Sequence, residues 1–481
     1  MWSIFWIHCS GALRKIKQHF YQITGRRWLN LTNRLQNKRK LSPKEIREYL
    51  EYTKNGTVKN TLPNCMLALE NDEKLQDLIQ YNSFTGRIDV TGKVWWNKTG
   101  TVLNDTDLNY LLLYLEQQYD LSNEKKVQRA LNIIADQNQY HPIRDYLNLL
   151  QWDGQHRIRY VLHHFLGAEV NDYTHDAMLV FLLGAINRVF EPGYKFETML
   201  CLVGGQGAGK STFFRFLAMK DEWFSDDLKK LDDENIYRKM QGHLIIEMSE
   251  MIATANAKSI EEIKSFLSRH KDTYKVPYEV HPVDRPRQCV FGGTSNTMDF
   301  LPLDRTGNRR FHPIIVDPGN AEVHILEDED ASRAYMEQVW AEAMELYRKG
   351  NYRPILSREN EQYLKEFQKN FMPEDAMAGM IQAYLDGYKG DKVCSKQLYH
   401  EALNHPYEEP KSWELREINN IMNTVITGWK TFINPRHFGR YGRQRGWERD
   451  NIPSATELET ENGFLSLSPE VAEQIALSFE T

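Results

Sequence analysis

Leu202–Phe214 reads LVGGQGAGKSTFF, and the architecture of the central domain can be inferred from this stretch. Within it, Gly204–Ser211 matches the pattern G-x-x-x-x-G-K-[ST] without deviation. The apolar run ETMLCLVGG leads into the glycines, and TFFRFLA continues after them with helical character. A strand, a glycine-rich loop and a helix in that order are the context in which this pattern binds nucleotide phosphates. The sequence therefore predicts a phosphate-binding loop.

Each part of this loop has an expected role. Glycines let backbone N–H groups approach the phosphates, and the helix N-terminus adds partial positive charge. Lys210 is expected to reach the β- and γ-phosphates of ATP, and Ser211 to ligate Mg²⁺. The expected nucleotide-binding residues are Gly204, Gly205, Gln206, Gly207, Ala208, Gly209, Lys210, Ser211 and Thr212.

Apolar runs that end in polar residues follow the loop, and alternation of such strands with helices indicates a parallel sheet covered on both faces. In the run HLIIEMSE, the residues His243–Ile246 lead into Glu247 and then Glu250. One carboxylate would hold Mg²⁺, with Glu247 as the candidate, and the other would orient or deprotonate the attacking water. The two are three residues apart, so their roles stay open. A turn directly after Ile246 would bring both to the nucleotide, and the alternative is a solvated Glu250.

Two further motifs complete the candidate site. RQCVFGGTSN is a strand ending at Asn296, whose amide is expected to hydrogen-bond the γ-phosphate or the water. GNRRF then supplies Arg309 and Arg310, and an arginine after the last core strand can reach the γ-phosphate of a neighbouring subunit. The alternatives are an asparagine in a turn and an arginine in a surface salt bridge.

The length of 481 residues predicts two to four domains. The net charge of −6 does not indicate a globally basic nucleic-acid binder, yet ten Lys/Arg and no acidic residue lie in 1–44. The pattern predicts a basic arm (1–60), a small α/β or helical module (61–170), the ATPase core (171–320), a helical lid or connector (321–373), a winged-helix-like module (374–450) and an acidic tail (451–481). Within the small module, RIDVTGKVWWN predicts a hairpin turning at TG, and NDTD (Asn104–Asp107) a helix cap.

In this order, GGQGAGKST, LIIEMSE, FGGTSN and GNRRF resemble the virulence-associated protein E family. YLNLLQWDG upstream and FGRYGRQRGWER near the end extend the resemblance to roughly residues 60–450. This family is similar to superfamily-3 helicases and to poxvirus-type primase–helicases. The resemblance implies an α/β, AAA+-like P-loop ATPase that forms a hexamer and translocates on single-stranded DNA of a mobile element.

Carried over by motif, Glu247 and Glu250 fall on the acidic motif, Asn296 on the sensor strand, and Arg309 or Arg310 on the arginine finger. Two departures matter. The acidic motif lacks an adjacent Asp-Glu pair. Only a basic segment of about 60 residues precedes the shared region, where many relatives carry a primase–polymerase domain.

The interval SRHKDTYKVPYEVHPVDRPRQ lies where superfamily-3 enzymes carry a hairpin that projects into the ring channel. Cationic and aromatic side chains suit single-stranded DNA, and those expected to contact it are Arg269, Lys271, Tyr274, Lys275 and Tyr278. In the C-terminal module Arg440, Arg443 and Arg445 are expected on duplex phosphates. The alternatives are an intersubunit loop without DNA, and solvated arginines around a small core containing Trp429 and Trp447.

These features together predict an ATP-dependent DNA helicase or translocase, a homo-hexamer in the cytoplasm of a bacterial host. Its expected partners are single-stranded DNA, an origin duplex and a replication or primase protein. No apolar run reaches the roughly 18 residues of a membrane span, so no membrane partner is expected. Two alternatives stay open: an ATP-switched initiator that binds DNA with slow turnover, and a primase–helicase.

Overall fold

The structure, a computed structural model, describes residues 40–228, 236–249, 257–274, 283–301, 303 and 308–450. Most of the predicted basic arm and the whole acidic tail lie outside these residues. The chain divides into two compact units. The first comprises the described parts of Met1–Ile252, Glu261–Thr297 and Arg310–Tyr363, and the second those of Ala253–Ile260, Met298–Arg309 and Leu364–Thr481.

The first unit begins with a small module of helices around a three-stranded sheet. Its elements are α1 (Pro43–Arg47), α2 (Leu62–Asn71), β1 (Ile79–Asn82), β2 (Arg87–Val90), α3 (Asp105–Tyr119), α4 (Glu124–Gln137), β3 (Gln139–Tyr140) and α5 (Pro142–Leu149). Strand β1 is central, antiparallel to β2 and parallel to β3. Buried side chains of α2, α3 and α4, among them Leu69, Leu115 and Leu131, form its core.

Local sequence signals explain several boundaries in this module. Ser42 caps α1 through a capping box with Glu45, and Pro43 occupies the first turn. Asn104 caps α3 through a capping box with Asp107, which confirms the NDTD cap. The predicted hairpin at TG is wrong. Strand β2 pairs instead with β1, which precedes it, because the turn lies at Ser83–Gly86.

The centre of the first unit is a five-stranded parallel sheet, which confirms the α/β class. Its strands are β4 (Met199–Val203), β5 (Phe224–Ser225), β6 (Ile245–Ser249), β9 (Val290–Ser295) and β10 (Phe311–Ile315), in the order β10-β4-β9-β6-β5. All neighbouring pairs are parallel. Strand β4 is buried at every position, as a strand covered on both faces must be.

Helices alternate with these strands along the chain, and a β-hairpin lies between two of them. The helices are α6 (Val161–Leu166), α7 (Asp172–Phe190), α8 (Lys210–Leu217), α9 (Ile236–Met240), α10 (Ala257–Leu267), α11 (Glu329–Lys349) and α12 (Arg358–Phe367). Strands β7 (Lys271–Tyr274) and β8 (Val283–Pro286) pair antiparallel, between α10 and β9 in the chain. At the base of this β7–β8 hairpin, the buried Arg287 guanidinium binds both carboxylate oxygens of Asp272, at 2.7 and 2.9 Å.

The second unit ends in a small helical and antiparallel module. Its elements are α13 (Ala376–Gly387), β11 (Lys392–Cys394), α14 (Ser395–Gln397) with a π-helical turn at Leu398–Ala402, α15 (Ser412–Thr424), β12 (Trp429–His437) and β13 (Arg443–Arg449). The sheet order is β11-β13-β12. Trp447 is buried in the core of this module, and Trp429 packs against that core half-buried.

Among the described residues, no helix combines the length and the apolar character needed to cross a bilayer.

Candidate nucleotide-binding site

The loop between β4 and α8 follows a path that requires glycine. Gly207 and Gly209 have φ of 81° and 76°, in the left-handed region that side chains disfavour. A Cβ at Gly204 would lie 2.6 Å from the carbonyl oxygen of Val316. Gly209 caps α8 without a side-chain hydrogen bond, so the first N–H groups of that helix face the loop. A backbone of this shape at a helix N-terminus is suited to holding an anion.

Lys210 begins α8, and its side chain is 7% exposed. Its Nζ donates to the carbonyl oxygens of Gly204 and Gly205, both at 2.7 Å. It also donates to Oδ1 of Asn296 at 3.0 Å. The ammonium group and the amide predicted as a sensor therefore meet at the mouth of the loop.

Glu247 lies fully buried in β6, and Oε1 of its carboxylate accepts three hydroxyl groups. These come from Thr294 at 2.6 Å, Ser211 at 2.7 Å and Ser249 at 3.1 Å. Oε2 is also buried and has no hydrogen-bond partner among the described residues. A buried carboxylate oxygen without a donor is costly, and a cation or a water molecule at this position would satisfy it.

The strand that carries Glu247 is longer than the sequence suggested. The turn directly after Ile246 that would bring both glutamates to the nucleotide is not formed, because β6 continues through Ser249 in register with Thr294 of β9. Glu247 and Ser249 are two apart on a strand and so share a face. Glu250 lies outside the described residues.

The residues present fit Mg²⁺ and a triphosphate. Magnesium favours a few carboxylate or hydroxyl oxygens together with phosphate oxygens and water. The Ser211 hydroxyl and the unsatisfied oxygen of Glu247 are such ligands, and they stand beside a cradle of N–H groups and one buried ammonium. Thr294 and Ser249 were missed by the sequence reasoning, although each stands two residues from a predicted site residue on its strand.

The loop opens on a cleft of about 380 Å³. Residues 206–212 line one side, and His324, Ile325 and Leu326 line another. Leu326 is 44% exposed, whereas Ile325 is buried. The segment is held by a bond from Val323 N–H to the His164 carbonyl, at 3.1 Å. The sequence predicts these residues only as part of a connector, because an isolated HIL triplet carries no recognisable signal.

The two predicted finger arginines have different surroundings. Arg310 pairs with Glu197 at 3.0 Å and donates to the Ser268 hydroxyl at 3.2 Å, so its own unit holds it. Arg309 is exposed and belongs to the second unit.

The predicted DNA contacts at the hairpin base have partners within the chain. Arg269 donates to the Tyr237 hydroxyl at 2.9 Å, and Lys271 pairs with Asp284 across the hairpin. Tyr274 ends strand β7, while Lys275 and Tyr278 lie outside the described residues.

In the C-terminal module, Arg440 pairs with Glu401 at 3.2 Å and Arg443 donates to the Pro435 carbonyl at 3.1 Å. Arg445 is exposed on β13.

Comparison with known proteins finds one matching protein family and several similar solved structures. Residues 147–373 match the virulence-associated protein E-like domain. No curated protein matches the chain. Among solved structures, the A form of the apo C-terminal region of NrS-1 aligns with a TM-score of 0.41 and 13% identity, over 77% of this chain and 96% of that one. A second apo structure of the same region aligns with a TM-score of 0.40 and 12% identity, over the same shares.

The family match begins near YLNLLQWDG, includes the loop, the acidic strand, the sensor strand and the arginine pair, and ends before the C-terminal module. It confirms the resemblance for that part of the sequence. Residues 147–373 are therefore similar to the virulence-associated protein E-like domain.

Proposed function

We propose that the protein is an ATPase that uses hydrolysis to move along single-stranded DNA in replication of a mobile element. The observation that carries the proposal is the meeting of four polar side chains, Lys210, Ser211, Glu247 and Asn296, at the carboxyl edge of three neighbouring parallel strands. Ligands of open α/β sheets bind at that edge. The family match supports a role in replication.

Each residue has a defined task in hydrolysis. Bound Mg²⁺ would neutralise negative charge that develops on the phosphates. Ser211 and Glu247 would hold the metal, and Lys210 would place its ammonium charge on the β- and γ-phosphates. Asn296 would hold the γ-phosphate or the attacking water. Glu247 already receives three hydroxyl donors, which favours a ligand role for it and leaves the base role to Glu250.

The proposal extends to the fold family and the assembly. The strand order supports an AAA+-like core of the superfamily-3 helicase type, with ATP bound between subunits of a ring. Its hexameric state is part of the proposal. An arginine from the next subunit would stabilise the transition state, and Arg309 is favoured because it is more exposed than Arg310.

DNA is proposed to bind at two places. The β7–β8 hairpin would contact single-stranded DNA in the ring channel, through its tip and through Arg269 and Lys271. The order helix, strand, helix, helix, strand, strand in residues 376–449 supports a winged-helix module. That module would contact origin duplex through the exposed Arg445 and its neighbours.

Steady-state ATP hydrolysis, measured with and without single-stranded DNA, tests the proposal, and Lys210→Ala serves as the negative control. Wild-type turnover should rise severalfold with DNA, and the variant should lose at least about a hundredfold, as loss of a preorganised charge contact implies. Its circular dichroism should match wild type. Full turnover in Lys210→Ala would refute the site.

The initiator alternative is favoured by the winged-helix order. Slow turnover indifferent to DNA, together with tight binding of duplex by residues 374–450 in the full chain, would support it. Primer synthesis on a single-stranded template would instead indicate a primase–helicase.

A further inference from the structure

The small N-terminal module touches the base of the β7–β8 hairpin, although it lies outside the family match. Arg285 of β8 donates to the Tyr81 hydroxyl of β1 at 3.1 Å. Gln288, two residues beyond β8, donates to the Ser83 carbonyl at 3.2 Å. Gln241, just after α9, donates to the Thr85 carbonyl. The turn Ser83–Gly86 thus contacts the hairpin base and the helix beside it.

Glycine at position 86 makes this approach possible. Gly86 has φ of 65°, which disfavours any side chain, and a Cβ there would overlap the guanidinium of Arg285. The absence of a side chain at Gly86 therefore lets the arginine lie over the turn and reach Tyr81.

A chain of hydrogen bonds fixes Gln288. His141 Nδ1 accepts the Arg144 backbone N–H at 3.1 Å, so its Nε2 carries the proton and donates to Gln288 Oε1 at 2.7 Å. Burial lowers the pKa of His141, which keeps this neutral form at pH 7. Ser83 is fixed in turn, since its N–H and its hydroxyl both donate to the Tyr140 carbonyl.

Gln288 stands on the backbone that joins the hairpin to the nucleotide site. Strand β8 ends at Pro286, and β9 begins at Val290 and carries Thr294 towards Asn296. On the hairpin side of Gln288, Arg287 N–H donates to the His270 carbonyl at 2.9 Å, and its guanidinium is buried on Asp272. Hydrogen bonds therefore hold the hairpin base on this side, and a displacement of β8 that travels along the backbone to β9 passes through Gln288.

We propose that the turn Ser83–Gly86 is a positioning element for the hairpin and couples its DNA contacts to ATP hydrolysis. The module holds Arg285 and Gln288 in place. A displacement of the hairpin is therefore transmitted to β9 and is not lost in a rotation of the hairpin about its base. The coupling rests on the proposed function, whereas the positioning does not depend on it. Tyr81 and Gln288 are positioning residues, because neither contacts the nucleotide-binding loop.

Two variants of the full chain test the proposal. Gln288→Ala removes the bonds to Ser83 and His141, and Tyr81→Phe removes one hydroxyl with little change in shape. Tyr52→Phe is the matched control, since Tyr52 donates its hydroxyl to the Arg47 carbonyl in the same module, on a different contact. The measurements are basal hydrolysis, its stimulation by single-stranded DNA, and hydrogen exchange of the amides of residues 271–273, 284 and 285.

Gln288→Ala should exchange those amides about three- to tenfold faster, as loss of one or two hydrogen bonds implies. It should lose most of the stimulation by DNA at nearly unchanged basal turnover, with Tyr81→Phe intermediate and Tyr52→Phe like wild type. Unchanged exchange would overturn the positioning, and faster exchange with full stimulation would overturn the coupling. If wild-type hydrolysis ignores DNA, the proposed function fails, while exchange still decides whether the turn holds the hairpin.

Discussion

At the scale of single residues, the buried carboxylate of Glu247 organises the site. Three hydroxyls point at one of its oxygens, and none of the described residues satisfies the other. The sequence predicted Lys210, Ser211, Glu247 and Asn296 because their motifs are local. It did not predict Thr294 or Ser249, since a hydroxyl on a strand gains meaning only when the neighbouring strand is in register.

Variants of Glu247 and Glu250 should differ in the Mg²⁺ concentration that they require. Glu247→Gln should bind a fluorescent ATP analogue yet require about tenfold more Mg²⁺ for half-maximal binding, because a neutral amide is a poor magnesium ligand. Glu250→Gln should keep wild-type Mg²⁺ dependence and lose about a hundredfold or more in turnover, the usual range for a proton-transfer group. Magnesium titrations of binding and of hydrolysis compare them. Equal Mg²⁺ dependence in both variants would contradict the division of roles.

Leu326 should contribute to the affinity for the adenine base of a bound nucleotide and not to the affinity for its phosphates. Leu326→Ser should weaken ADP binding about three- to tenfold, because part of an apolar side chain no longer covers the base. Binding of inorganic tripolyphosphate, which has no base, should be unchanged. Leu149→Ser is the control, since Leu149 is 80% exposed and does not line the cleft. If the affinities for ADP and for tripolyphosphate fell equally, the substitution would be acting on the phosphate-binding loop and not on contact with the base.

At the scale of elements, the central sheet was predictable because its strands are apolar and its glycines stand where the backbone or a helix packs closely. Gly292 of β9 lies against the ring of Phe214 of α8, so a side chain there would push the phosphate-loop helix off the sheet. Buried apolar strands and a glycine loop are readable from one sequence. The pairing of β2 was not, because RIDV fits a partner on either side. In the packed module it forms a ladder with the earlier strand β1 and only an isolated bridge to Val102 after it.

A carboxylate holds α7 to the segment that begins α12. Burial raises the pKa of Asp176, but hydrogen bonds from His175, Asn360 and Ser357 outweigh it and lower the pKa to about 2. The Asn360 amide bond is the shortest, at 2.6 Å. The pKa in the unfolded chain is about 3.9. The folded state therefore gains stability above about pH 4 and loses it as the pH falls towards 2.

Asp176→Asn should remove that dependence. The difference in denaturation midpoint between wild type and the variant should be largest above pH 5 and shrink between pH 4 and 2. Urea denaturation followed by tryptophan fluorescence at several pH values measures it. A difference that stays constant down to pH 2 would show that the ionised carboxylate is not what joins these helices.

At the scale of the whole molecule, the match to one family covers the middle of the chain, while proposed DNA contacts lie both inside and beyond it. Ring assembly would bring many copies of modest positive surfaces onto one axis, which reconciles a net charge of −6 with DNA binding. Sequence alone could order the motifs of the site. It could not show that Arg310 is paired within its own unit, because Glu197 lies far from it in the chain.

The arginine pair gives the last prediction, which depends on assembly. Arg309→Ala should lower turnover about a thousandfold, the scale of an arginine finger. Arg310→Ala should chiefly lower the denaturation midpoint, since it removes the ion pair with Glu197 and the hydrogen bond to Ser268. Mixing Arg309→Ala with Lys210→Ala subunits should restore part of the activity, because a wild-type loop then meets a wild-type Arg309 from its neighbour. Mixed oligomers that stay inactive, beside a wild-type and Lys210→Ala mixture that is active, would exclude a finger acting between subunits.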